Sequence, residues 1–559
     1  MLGLMSWLIR ILLLAAVIGG VGVFHQWRQG LPLRVTLAAE KKVLLIGNGT
    51  EIETVDPHMA TGAPEHRIIS ALFEGLVAPA TDHPDKDGPG VAMSWDTPDF
   101  ITWTFHLNPK AAWSDGMPLT ADDFVYAYHR MLSPELAADY SEMLHLIHNA
   151  SKFSHGELGS FDEVGVEAVD PHTLKIVLEG PAPYFPSMLK HYAWFPVPKH
   201  TVEQFGTMTE RDTAWARPGN LVCNGAFTLK EWRINHYLSI EANPNYWDAE
   251  RVRLKEIHFF PIEDYSAEER SFLDGQLHHT ETVPLEKIAY YREKRPPFFH
   301  EDPQLVTEYY MFNVTKKPFD DKRVRQALSL TIDRETLINQ VLKSGSVPAK
   351  GLVPPGAGEG YEGPDVLRFD PERARQLLAE AGYPGGKGIP EVDVLTNTSP
   401  SARVVAEFFQ ESWRKHLGLK ITIRQQEWGV YLDSRRKKTY DISRAGWVGD
   451  YPDPYTFLAI WRSFDGNNDA GWDNPQFDKL MFDSEREPDA RTRMGLLRQG
   501  EELFLEEMPG IPIYWRMQSH LIRSELIGWK PSLLEHRCYK VIDLDPTRTM
   551  DMLEAKTHP

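Results

Sequence analysis

Asp450 stands at the end of a segment whose residue types point to ligand binding. It follows Arg444-Ala445-Gly446-Trp447-Val448-Gly449, where two glycines let a second backbone come close. Main-chain N–H and C=O groups exposed beside such glycines can pair with an extended peptide, and the carboxylate can meet its ammonium group. A tight sheet corner ending in a solvated Asp is the competing reading of the same residues. Trp428, Tyr431 and Arg435 precede the segment and make this the densest aromatic stretch in the glycine-marked parts of the chain.

Other groupings read as structural. His145 and His148 are spaced i, i+3, and His278 and His279 are adjacent. Neither pair has a cysteine or a carboxylate in ligand register, so surface or hydrogen-bonded histidines are expected, and no metal. The acid pairs Asp122-Asp123 and Asp320-Asp321 fall at expected helix starts, where carboxylates complement the helix dipole. H-E-x-x-H, G-x-S-x-G and a glycine-rich phosphate loop do not occur. The chain therefore reads as a binder rather than an enzyme, with no cofactor.

Composition narrows the partners. The 559 residues carry 60 Lys and Arg against 79 Asp and Glu, a net charge of −19, which argues against nucleic-acid binding, driven as that is by clustered Lys and Arg. With 42% hydrophobic and 25% charged residues, the composition is that of a folded globule, and its length fits two to four domains. Cys223 and Cys538 are the two cysteines and allow at most one bridge. Residues 2–24 are largely apolar apart from Arg10, which suits a signal-peptide core or a single membrane anchor, the anchor being preferred.

The elements that must position Asp450 alternate in type. Val43 to Ile46 reads as a buried strand, and Trp103, Phe105 and Leu107 alternate with polar residues as in a half-buried strand. Thr120 caps a helix with Asp123 at its third position and Phe124, Tyr128 and Met131 on one face. Thr173 to Leu178 is a strand, and Asp370-Pro371 opens a helix that Gly382 closes. Strands at Val392 to Leu395 and Leu419 to Ile423 flank a helix over 402–416, a unit able to form a parallel crossover, and Tyr440 to Ser443 is a further strand. The fold class is α/β.

The ordered motifs identify a resemblance. From Asn48 to about Ile542 the chain carries NGTEIETVDPH (48–58), LFEGL (72–76), WTFHL (103–107), WSDGMPLTADDFVYAY (113–128) and PYFPSML (183–189). NGAF (224–227), NPNYWD (243–248), DKRVRQALSLTIDR (321–334), AEAGYP (379–384) and RAGWVGDYPDP (444–454) follow. In this set the sequence resembles the oligopeptide-binding proteins of bacterial peptide ABC importers, large periplasmic solute-binding proteins of the peptide/nickel type.

The resemblance implies a three-lobed periplasmic-binding-protein fold preceded by an N-terminal hydrophobic helix. Residues 1–40 would be the signal or anchor and linker, 41–73 with 200–281 and 518–559 lobe I, 74–199 lobe II, and 282–517 lobe III. Lobes I and III would close over an oligopeptide. Asp450 would take the peptide ammonium, and the main chains of Gly446, Trp447 and Val448 and of Thr61, Gly62 and Ala63 would pair with its backbone from opposite sides. Tyr140, Trp428, Arg435 and Trp447 match pocket positions. Thr61 replaces a family Glu and Ala402 a His that helps receive the peptide carboxylate, a role left to Arg403, Arg444 or Lys316, of which Arg444 sits in an intact motif. The expected partners are oligopeptides, an ABC permease with its ATPase, and the inner membrane through residues 2–24, for an exported, periplasmic monomer. The alternatives are a tethered ligand sensor, or a binder of a dipeptide, a muropeptide or a metal chelate.

Overall fold

The computed structural model describes residues 34–548 apart from 295 and 427, so the apolar segment 2–24 lies outside the described residues. Among the described residues no helix is long and apolar enough to cross a membrane. The architecture is α/β and rests on three larger sheets. The first orders Val43–Gly47, Glu256–Phe260, Tyr237–Ala242 and Phe227–Arg233, with the first pair parallel and the rest antiparallel. The second is antiparallel throughout, Ala92–Asp96, Thr102–Leu107, Thr173–Val177 and Val166–Asp170. The third has six strands in the order Val347–Pro348, Gly510–Leu521, Phe299–Phe312, Ile442–Val448, Val392–Asn397 and Ile421–Gln426.

Local rules place most of these elements. Helix Ala121–Leu132 begins where the Asp123 carboxylate accepts the Thr120 N–H at 2.8 Å, and it buries Phe124, Tyr128 and Met131 completely. Helix Pro400–Leu417 connects Val392–Asn397 to Ile421–Gln426, and the two strands pair in parallel, Val392 opposite Ile421. Under it, Phe409 and Trp413 pack with Tyr310, Phe312, Val394 and Ile442 in one apolar layer. The strand expected to start at Tyr440 starts at Ile442 and continues through both Gly446 and Trp447 to Val448. Gly446 does not break it because pairing with Glu308 across the ladder holds the backbone extended.

Two long strands tie the first sheet to the third. Phe299–Phe312 and Gly510–Leu521 pair along most of their length, with Phe299 opposite Leu521. At that end the Thr280 N–H donates to Leu521 O at 3.0 Å, and the Gly47 N–H donates to His279 O at 3.0 Å. Residues 278–280 thus belong to both ladders. His278 is used in this seam, its Nδ1 accepting the Leu45 N–H at 3.0 Å, while His145 bonds Ser154 at 2.8 Å and His148 faces Glu179 at 3.3 Å. Cys223 and Cys538 are both unpaired thiols; Cys223 is wholly buried beside Phe227 O at 3.3 Å.

Candidate functional site

Strand Ile442–Val448 carries the site. On its one side it pairs in full with Phe299–Phe312, and the Gly449 N–H continues that ladder to Leu305 O at 2.8 Å. On its other side, pairing with Val392–Asn397 is limited to Val394 opposite Ile442 and Leu395 opposite Ser443. Antiparallel strands send alternate residues' N–H and C=O to opposite edges, so with Gly449 bonded inward, Arg444, Gly446 and Val448 face outward. The Arg444 carbonyl accepts the Tyr431 hydroxyl. The backbone groups of Gly446 and Val448 are left on an edge to which no strand is paired among the described residues.

Asp450 closes this edge, and its surroundings are pinned. The Thr456 hydroxyl accepts the Asp450 N–H at 3.2 Å and the Trp447 indole N–H at 3.3 Å, and donates to Asp450 Oδ2 at 3.3 Å. Behind it, Arg493 clamps Asp453 through two contacts of 2.6 and 3.0 Å, and Tyr451 stacks on Tyr184 with ring centroids 4.5 Å apart. Gly449 is required here, since a Cβ would meet the Leu305 side chain at 2.5 Å. No cation pairs with Asp450 among the described residues. The carboxyl opens into a cavity, yet the surrounding walls displace enough water that burial raises it from 3.8 to about 6.

The cavity measures about 390 Å³, within the range of small-ligand sites. Val306, Val448, Gly449 and Asp450 line it together with Thr61, Gly62, Ala63 and Tyr140. Gly62 precedes helix Ala63–Leu72, and the Tyr140 hydroxyl donates to Thr61 O at 3.4 Å. The base comes from residues that spacing did not reveal: His66, His191, Tyr192, Glu535 and His536. Burial holds His66 at about 4 and His191 at about 3, so both are neutral near pH 7. Burial also acts on Glu535, but Arg67 at 2.8 Å, together with Arg537, overcomes it and brings the carboxyl to about 2. A second cavity of about 750 Å³, walled in part by Pro303, Pro355, Pro452 and Pro531, shares Leu533 with the first.

Six of the residues expected in the site therefore line one cavity: Thr61, Gly62, Ala63, Tyr140, Val448 and Asp450. Gly446, Trp447 and Arg444 lie on the strand leading away from it. Arg435 is not on the cavity wall; it pairs with Asp469 at 2.9 Å behind Tyr431. Trp428 opens helix Trp428–Arg436, and its side chain lies outside the described residues. Of the cations that could receive a ligand carboxylate, Arg403 is paired with Glu407 at 2.8 Å and Lys316 with Asp441 at 3.3 Å. Arg444 contacts Glu308 at 2.5 Å.

Comparison with known proteins gives a consistent result. Residues 88–469 match the family model described as bacterial extracellular solute-binding proteins, family 5 middle. The periplasmic oligopeptide-binding protein OppA of Escherichia coli (strain K12) is 36% identical over 516 residues, covering 89% of this chain and 91% of its own. The periplasmic murein peptide-binding protein MppA of the same organism is 36% identical over 501 residues, covering 88% and 91%. Among solved structures, the unliganded open form of MppA superposes with a TM-score of 0.80 at 35% identity, over 90% of this chain and 98% of that one. Haemophilus influenzae OppA in complex with RPPGFSPFR gives a TM-score of 0.71 at 32% identity, over 90% and 99%. With its α/β architecture, its open strand edge and these matches over nine-tenths of its length, the chain belongs to the bacterial extracellular solute-binding proteins of family 5.

Proposed function

We propose that this protein captures oligopeptides with a free amino terminus and delivers them to an ABC permease. The observation that carries the reading is Asp450, a carboxylate with no cation beside it among the described residues, placed in a cavity of about 390 Å³ at the end of a strand edge to which no described strand pairs. A peptide would add to the outward groups of Gly446 and Val448 as a further strand, with its ammonium on Asp450 and its far side against Thr61, Gly62 and Ala63. Trp447 would orient Asp450 through Thr456, and Tyr140 would fix the opposite wall.

The chain would work outside the inner membrane, exported or anchored through residues 2–24. Lobe I would comprise 41–73, 200–281 and 518–559, lobe II 74–199 and lobe III 282–517, with the seam at residues 278–280 inside the hinge. Selectivity would come from main-chain bonds and charged ends, and the protein would act by binding, without a chemical step. Calorimetry with a mixed set of alanine-based tri- to pentapeptides and their N-acetylated forms tests this reading. The free amines are expected to bind at least about thirtyfold more tightly, the low end of the loss for an unpaired buried charge. Equal affinity for free and acetylated peptides would remove Asp450 from the role.

A further inference from the structure

We propose that the second cavity, about 750 Å³ in volume, receives a branch carried on the side chain of a ligand's first residue, a branch that ends in a free amine; this rests on the peptide reading above. Three chain segments line both spaces in turn. Gln304 lies on the first cavity and Pro303 on the second, Asp450 on the first and Pro452 on the second, and Leu533 on both. The second space therefore begins where Asp450 ends the first.

The direction of a bound chain decides what can reach it. With its amine at Asp450 and its backbone on Val448 and then Gly446, a linear ligand advances about 3.4 Å per residue away from Pro452. A main chain prolonged the other way, past Asp450, would deprive that carboxylate of its ammonium and leave a buried charge unpaired. A substituent on the first side chain enters the second space without disturbing the first. That space has nearly twice the volume of the first, about 750 against about 390 Å³, in the range that encloses a whole small ligand.

The lining selects the branch. Pro303, Pro355, Pro452 and Pro531 contribute ring faces and no N–H, so these positions lack the donors of a strand ladder and present apolar surface instead. The carboxylates come from Asp85, Asp87 and Glu359. Lys190 answers Asp87 at 2.9 Å, and Lys86 stands 4.0 Å from Glu359. Asp85 has neutral partners, the Ser532 hydroxyl at 2.7 Å and the Leu533 N–H at 3.0 Å, and among the described residues no cation pairs with it. Three carboxylates against two ammonium groups leave one negative charge, which suits an amine at the end of the branch. The Glu359 side chain is 90% exposed and that of Lys86 56%, so their loose contact opens at little cost. The matching ligand is a peptide whose first residue carries a side-chain amine acylated by a second short peptide, giving two free amino termini.

Calorimetry on the full chain tests the branch. The probes are tri-alanine, Lys-Ala-Ala acetylated at Nζ, the same peptide carrying Ala-Ala on Nζ through an amide bond, and that branched peptide with its branch amine acetylated. The branched peptide is expected to bind at least about tenfold more tightly than the Nζ-acetyl peptide, and acetylation of the branch amine should give back about two- to fivefold. Pro355→Trp, at an exposed position that lines the second space and not the first, should abolish the gain while leaving tri-alanine within about twofold. Glu359→Lys should cost the branched peptide about as much as acetylating its amine. Equal affinity for the branched and Nζ-acetyl peptides while tri-alanine binds, or a gain that survives Pro355→Trp, overturns the inference and leaves the peptide reading standing. Failure of every probe to bind overturns the peptide reading, and this inference with it.

Discussion

Protonation of Asp450 is expected to set the pH dependence of ligand capture. In the empty cavity burial holds its carboxyl at about 6, well above the ordinary 3.8, so below pH 6 the group is mostly neutral. A ligand ammonium requires the charged form, and binding at low pH must first remove the proton. The apparent affinity then falls by a factor of 1 + 10^(6 − pH), about 1.1 at pH 7 and about 11 at pH 5, a tenfold loss. The ligand ammonium stays charged throughout this range. Burial keeps His66 near 4 and His191 near 3, and Glu535 sits near 2, so these three neighbours do not titrate between pH 5 and 7, and burial also holds His536 well below its ordinary 6.5. Calorimetry from pH 5 to 7 in buffers of different ionisation enthalpy should show the tenfold loss, with about one proton released per ligand bound at pH 5. Asp450→Asn should bind more weakly at every pH and lose the slope. For the empty protein the sign is opposite: an acid raised on folding costs stability as pH climbs from 3.8 through 6. Asp450→Asn should therefore stabilise the unliganded protein slightly at pH 7, by less than about 1 kcal/mol because the group opens to solvent. Affinity that is flat from pH 5 to 7, or a slope that survives in Asp450→Asn, would refute the assignment.

Peptides of one length but scrambled sequence are expected to bind within about tenfold of each other in competition assays, because main-chain bonds and hydrated side-chain pockets discriminate by only about 1.4 kcal/mol. Arg130 is wholly buried, pairs with Asp56 at 2.6 Å and lies 5.8 Å from the Trp215 ring centroid. Arg130→Ala should lower urea stability by about 3–5 kcal/mol by stranding the Asp56 charge, and a loss below about 1 kcal/mol would contradict that picture. Burial pushes Cys223 up to about 12 and Cys538 up to about 11, so thiol reagents at pH 8 should react slowly with the native protein and find two free thiols after denaturation without reductant. Fewer than two would mean that the cysteines are bridged.

Elements governed by short-range rules were legible in the sequence. The pairing of Thr120 with Asp123 marked the start of a helix, and the alternation of Trp103, Phe105 and Leu107 marked a strand with its buried face. Strand Ile442–Val448 was harder, because glycine lowers strand propensity and the neighbour that holds Gly446 extended, Glu308, is remote in sequence. Asp450 was visible as a carboxylate behind two glycines, though a sheet corner read equally well there, while the Thr61 to Ala63 segment came from motif order alone. The cavity base was out of reach on either ground. Arg67 and Glu535 are 468 positions apart, and Arg444 and Glu308 are 136 apart, with no spacing rule to connect them. Arg435 came to the site through motif order, and in the structure it pairs with Asp469 at 2.9 Å and is not among the residues that line the cavity.

An open strand edge is a hazard for most proteins, because it offers a template on which any other sheet can grow. The edge at Gly446 and Val448 runs to Asp450 at a cavity of about 390 Å³ that Thr61, Gly62 and Ala63 also line. A folded protein presenting its own edge would bring further strands about 4.8 Å behind the first, more than a space of about 390 Å³ can hold. A lone extended chain carries nothing behind it and fits. A cavity of that size at the end of the edge would sort visitors by architecture, favouring unfolded fragments over intact domains before any side chain is read.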